Sequence, residues 1–152
     1  MRIAFDTNIL AYLAGINRAT SDSAKIAAAR GLLGKLAGRA TLVAPVQTLG
    51  ELGVVLNRAG ATREEARDII LHMRQTFASA DTSDATLMSA LDLTTLHQFQ
   101  IWDALILSAA AEAGCAMLLS EDMQDGFIWR GVTIINPLAD KQNQRLSEVL
   151  DD

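Results

Sequence analysis

Ile3-Ala4-Phe5-Asp6-Thr7-Asn8 decides the reading of this chain: an apolar strand runs straight into a carboxylate, which can cap a short helix over 7–14. Apolar runs at 41–44, 116–119 and 132–135 repeat the strand pattern, and a weaker one lies near 79–82. None shows clean alternation of polar and apolar residues, as expected for strands covered on both faces of a parallel sheet. Helical stretches alternate with them. Asp22 or Ser23 caps a helix to about Gly38, with Ile26, Ala29, Leu32, Leu33 and Leu36 on one side. Pro45 opens a second, carrying Leu49, Leu52, Val55 and Leu56. Thr62 with Glu65 has capping-box spacing for a helix to about Phe77. Ser83 or Asp84 starts the next, which ends before 97–100, and a helix over 101–113 stops at Gly114. The tail finishes in a short helix with Leu146, Val149 and Leu150. With no repeat, low-complexity tract or linker, residues 1–152 read as one α/β domain.

That topology gathers acids. In a parallel α/β unit, the helix after a strand begins at the carboxyl edge of the sheet, and a helix leading into a strand begins there too. Asp6 and Asp122 directly follow strands, Glu51 lies in the first two turns after strand 41–44, and Asp103 heads the helix leading into strand 116–119. All four therefore fall where open α/β sheets bind ligands. Each has a plainer reading alone: a cap for Asp6, a surface position for Glu51, a favourable helix-terminal charge for Asp103, a polar turn for Asp122 and Asp125. Their shared placement outweighs those readings. Carboxylates converging in a cleft repel one another, and a divalent cation is the usual means of keeping them ionised together. This points to metal-dependent chemistry on a phosphate ester.

Composition bounds the alternatives. The chain of 152 residues can bury a sizeable core, and half of it is hydrophobic. A net charge of −5 argues against a general polyanion-binding module, which relies on Lys and Arg to neutralise phosphates. An enzyme that grips phosphate through bound metal tolerates acidic surroundings. The lone Cys115 excludes an internal disulfide and a zinc set, and reads as a small core residue. No signal peptide or membrane span is legible, so a cytoplasmic protein is expected.

Around the acids, the chain resembles the PIN-domain nucleases, especially VapC-like toxins of type II toxin–antitoxin pairs. The motifs are Phe5-Asp6-Thr7-Asn8-Ile9-Leu10, Glu51 within Gln47-Thr48-Leu49-Gly50-Glu51-Leu52, Trp102-Asp103-Ala104-Leu105-Ile106, and Leu119-Ser120-Glu121-Asp122 with Asp125. The resemblance spans essentially the whole chain. It implies a three-layer α/β/α fold with a central parallel sheet of four to five strands. It also implies Mg²⁺- or Mn²⁺-dependent cleavage of single-stranded RNA by a homodimer held in check by an antitoxin. Asp6, Glu51, Asp103 and Asp122 match the family's acidic metal-site positions, Asp125 a less constant acid, and Asn8 and Ser120 the polar positions that buttress them. Asp6 and Asp103 are expected to bind the metal most directly, with Glu51 and Asp122 acting through water or a second ion. The sequence departs from the family where an aromatic often follows the last acid: here Gly126 precedes Phe127.

Arg63, Arg67 and Arg74 share an arc of about 40° on one helix. With Glu64, Glu65 and Asp68 beside them they read first as a solvated face, and otherwise as an RNA track or a contact for an acidic partner. Trp102 is placed either to stack a base or to pack at the helix entrance. His72 and His97 lack metal-ligand spacing, and the charge of Glu121 has no evident role. An aspartyl phosphatase would want a second Asp where Asn8 stands, and a receiver domain would want a lysine in the span between Lys35 and Lys141, which has none. Two alternatives within the fold are an RNA-processing nuclease outside a toxin–antitoxin pair and an inactive binding module.

Overall fold

The computed structural model describes residues 1–17 and 19–151. Its elements run β1 (Arg2–Phe5), α1 (Thr7–Leu13), α2 (Asp22–Leu36), β2 (Thr41–Pro45), α3 (Val46–Arg58), α4 (Arg63–Thr76), β3 (Ala78–Ala80), α5 (Asp84–His97), α6 (Ile101–Glu112), β4 (Met117–Leu119), β5 (Ile128–Trp129), β6 (Val132–Ile135) and α7 (Gln144–Asp151). The strands form one six-stranded sheet in the order β3-β2-β1-β4-β6-β5. Five are mutually parallel, and only β5 runs antiparallel, against β6.

The expected sheet of four to five parallel strands is present, with β3 falling at 78–80 rather than 79–82. The addition is β5, a two-residue edge strand joined to β6 by Arg130 and Gly131, both at positive φ (44° and 87°). Two successive left-handed residues make the tight turn whose twist suits a hairpin. Arg130 is an unusual residue for that conformation, so no turn signal marked the place.

The strands lack polar alternation because each of their faces meets helices. Ile3, Phe5, Leu42, Ala44, Met117, Leu119 and Ile135 project into one core, packed by α1, α2, α3, α4 and α7. Ala4, Val43, Leu118, Val132 and Ile134 project into the other, packed by α5 and α6. Phe5 meets Phe77 edge to face at 5.1 Å in the first core. In the second, residues 104–110 of α6 are all buried, as its nearly unbroken apolar sequence requires. Cys115 is buried there too, and burial pushes its thiol up to about 11. It is a packing residue.

Local signals fix the helix ends. α4 has the expected capping box: Thr62 Oγ1 accepts from the Glu65 amide at 3.1 Å, and the Glu65 carboxylate accepts from the Thr62 amide at 2.7 Å. Thr62→Ala removes one half of that exchange on an exposed turn and should cost about 1 kcal/mol in urea denaturation. A loss below a few tenths would mean the box is idle. α2 differs from expectation. Asp22 is its first helical residue, and its carboxylate accepts from the Ala19 amide at 3.0 Å, fastening the preceding turn rather than capping the helix.

The order of strands reverses at β1. From there the chain builds outward through β2 and β3 on one side, and returns to β4 and β6 on the other. The crevice of a doubly wound sheet opens at such a switch, beyond the carboxyl ends of the two strands. Asp6 leaves β1 and Ser120 leaves β4 at that point, joined by the Asp6 amide donating to the Leu119 carbonyl at 2.9 Å.

Candidate active site

Asp6 is the N-cap of α1 and almost fully buried, at 5% exposure. Its Oδ1 accepts from the Thr7 amide and its Oδ2 from the Ser120 hydroxyl, both at 2.7 Å. Ser120 in turn accepts from the Met123 amide at 3.2 Å, so one buried hydroxyl ties the β4 loop to the first acid. The cap and the site are therefore one residue. These hydrogen bonds favour the ionised carboxylate, yet burial outweighs them, and the charges of Asp103 and Glu51 add to it. Together they raise the Asp6 pKa to about 6.

Glu51 arrives from the second turn of α3. Thr7 Oγ1 donates to its Oε2 at 2.7 Å, and Gln47, one turn earlier on the same helix, donates to its Oε1 at 2.9 Å. Both partners went unrecognised in the sequence; the i,i+4 spacing of Gln47 and Glu51 was the available signal. Asp103 stands half-buried at the head of α6. Its pKa too is raised, by burial first and then by the charges of Glu51 and Asp122. Asp122 is exposed on the loop after β4, where Asn8 Nδ2 donates to its Oδ2 at 3.0 Å. The four acids thus act on one another through space around the switch point, with Asn8 and Ser120 supporting them.

Asp125 lies apart. Its Oδ1 accepts from the Asn136 amide at 2.9 Å, fastening its loop to the end of β6. Trp102 is 57% exposed, so it does not pack at the helix entrance as one reading expected. Arg63, Arg67 and Arg74 are all exposed on α4, which agrees with a solvated face. Of the three, Arg74 lines a groove of about 410 Å³ with Val46, Leu49, Gly50, Ile70, Ser79 and Asp81. Val46 and Gly50 also border a second groove, of about 480 Å³, that reaches Glu51. Asp103 and Asp122 border a third, of about 310 Å³, along His97–Gln100 and Met123–Gln124. His97 packs edge-on against Phe127 and Trp129, at 5.1 and 5.6 Å, and serves as an aromatic wall.

Every candidate ligand is a carboxylate oxygen, which suits a hard cation and excludes a thiolate or imidazole site. Among the described residues, no three His, Cys, Asp or Glu side chains converge tightly enough to cage an ion by themselves. A cation that keeps several waters and takes one or two direct carboxylates fits such a rim, and Mg²⁺ has that habit. Burial first, and the neighbouring carboxylate charges after it, raise the pKa values of Asp6 and Asp103, and a cation at the rim would offset both.

A doubly wound sheet with acids at its switch point defines the class: an α/β domain with a carboxylate-lined sheet edge. More particularly, the chain belongs to the PIN domain family, whose model matches residues 3–124. Its fold is similar to that in the crystal structure of VapBC2 from Rickettsia felis bound to a DNA fragment from their promoter. There the identity is 20%, the TM-score 0.59, and the match covers 80% of this chain and 88% of that one. It is also similar to Mycobacterium tuberculosis VapC20, described as a Sarcin-Ricin loop cleaving toxin. In that case the identity is 18%, the TM-score 0.62, and the coverage 79% and 89%. By sequence, no curated protein matches the chain.

Proposed function

We propose that this protein is a VapC-like PIN nuclease that cleaves single-stranded RNA with Mg²⁺ or Mn²⁺ held at the acid rim. The observation that carries the reading is the position of Asp6. A buried carboxylate, held in place by two hydrogen bonds, is kept close enough to Asp103 and Glu51 for their charges to oppose its ionisation. Evolved sites are where such frustrated groups collect.

Asp6 and Asp103 would hold the ion most directly, and Glu51 and Asp122 would act through its waters. When bound, the ion supplies an activated water and offsets charge developing on the phosphate. The residues around it set geometry. Ser120 and the Thr7 amide fix the direction of Asp6, Thr7 and Gln47 fix both oxygens of Glu51, and Asn8 steadies Asp122. Exposed Trp102, one residue before Asp103, offers a ring on which an unpaired base can stack, and Arg74 a charge for a flanking phosphate. By analogy with VapC proteins, the molecule works as a cytoplasmic homodimer and is restrained by an antitoxin. No helix among the described residues is long and apolar enough to cross a membrane.

The test is cleavage of a mixed single-stranded RNA pool. Cutting should require Mg²⁺ or Mn²⁺, stop on chelation and return when the ion is restored. Cleavage undiminished by EDTA would remove the metal from the reading, and intact RNA under all conditions would leave a binding module.

A further inference from the structure

Glu121, beside Asp122, is tied to two distant helices. Its Oε1 accepts from Lys25 Nζ of α2 at 2.6 Å and from the Tyr12 hydroxyl of α1 at 3.3 Å. Lys25 Nζ also lies 5.7 Å from the centre of the Tyr12 ring, so ammonium, ring and carboxylate form one contact. Burial and the Glu121 charge both push the Tyr12 phenol upward, which keeps it protonated and able to donate. The backbone of Glu121 faces the acids: its amide donates to Asn8 Oδ1 at 3.4 Å, and Asn8 Nδ2 donates to Asp122 Oδ2. A continuous line of contacts therefore runs from α2 to the rim, through Lys25, Glu121, Asn8 and Asp122.

We propose that Lys25 and Glu121 form a strut that holds Asp122 at the sheet edge, making Lys25 a positioning residue for divalent-ion binding. This rests on the nuclease reading above, because it concerns how that same rim is kept ready for an ion. Asp122 is exposed on a loop, and the bonds within that loop do not reach its carboxylate; Asn8 does. Without Lys25, the Glu121 carboxylate is left largely enclosed, at 20% side-chain exposure, with its counter-charge gone. It regains water by swinging the loop outward, which carries its amide from Asn8 and Asp122 from the rim. The core of α2, at Ala29, Leu32 and Leu36, is untouched by the change.

The experiment compares wild type with Lys25→Met, Glu121→Gln and the reversed pair Lys25→Glu with Glu121→Lys. Calorimetry measures Mn²⁺ affinity, RNA cleavage gives the Mn²⁺ concentration for half-maximal rate, and melting in EDTA reports the fold. Removing partners that orient metal ligands commonly weakens binding tenfold or more. Acting one contact further out, Lys25→Met and Glu121→Gln should weaken Mn²⁺ binding by about threefold to tenfold. The half-maximal concentration should rise by the same factor, the EDTA melting point should hold, and the reversed pair should recover most of the loss. Unchanged Mn²⁺ binding in Lys25→Met, with or without a lowered melting point, would overturn the strut, as would a reversed pair no tighter than the single variants. Wild-type protein that neither binds Mn²⁺ nor cuts RNA would overturn the nuclease reading, and the strut with it.

Discussion

Asp6→Asn and Asp103→Asn should each reduce RNA cleavage by on the order of a thousandfold or more, with the fold intact. A bound ion supplies several kcal/mol of charge stabilisation in the transition state, and about 4 kcal/mol corresponds to that factor in rate. The amide keeps the size of the carboxylate and removes only its charge. At position 6 the local bonds can also survive: the amide oxygen still accepts from the Thr7 backbone N–H, and the new NH₂ can donate to the Ser120 hydroxyl oxygen. Circular dichroism and melting should therefore show native protein. Single-turnover cleavage at saturating Mn²⁺ is the deciding measurement, since it separates lost chemistry from weakened ion binding. Wild-type rates in either variant would dismantle the assignment of the acid rim.

The same Asp6→Asn change should stabilise the protein when no metal is present. In the folded chain the Asp6 pKa is raised from 3.8 to about 6. Folded protein therefore holds a proton that the unfolded chain has released between those two values. Stability contributed by Asp6 is complete below about pH 4, falls as pH rises toward 6, and is lost above it. At pH 7 the wild type then carries a penalty of up to about 3 kcal/mol that the Asp6→Asn variant lacks. In EDTA, urea denaturation should show that variant more stable at pH 7 and the gap closing toward pH 4. Adding Mg²⁺ should narrow the gap at pH 7, because an ion bound only by the folded wild type stabilises it by mass action. A variant less stable than wild type at pH 7 in EDTA would mean that the hydrogen bonds at Asp6 outweigh its burial.

The architecture was legible because its chemistry is local. Apolar runs such as Ile3-Ala4-Phe5 and Met117-Leu118-Leu119, too short for helices and set between helical stretches, read as strands covered on both faces, and that fixes which ends of the helices share an edge. The placement of Asp6, Glu51, Asp103 and Asp122 follows from topology and needed no knowledge of contacts. The rest depended on contacts between distant residues. Glu121 had no role in the sequence because Lys25 and Tyr12 lie 96 and 109 residues away from it. Asp125 sat within the motif, yet only the folded chain shows its carboxylate turned to the Asn136 amide. The β5–β6 hairpin escaped notice because its turn uses Arg130 where Asn or Gly would have announced it.

The central position of β1 bears on when the acid crevice closes during synthesis. Its neighbours are β2 and β4, so β1 must wait for Met117–Leu119 before its second edge is paired. β4 in turn waits for β6, at Val132–Ile135. A nascent chain emerging from the ribosome therefore carries Asp6 through the synthesis of everything up to β4 with the facing half of its crevice still unmade. Such long-range pairing is slow to form, and it keeps the acidic edge unassembled until Val132–Ile135 has left the machine that produced it.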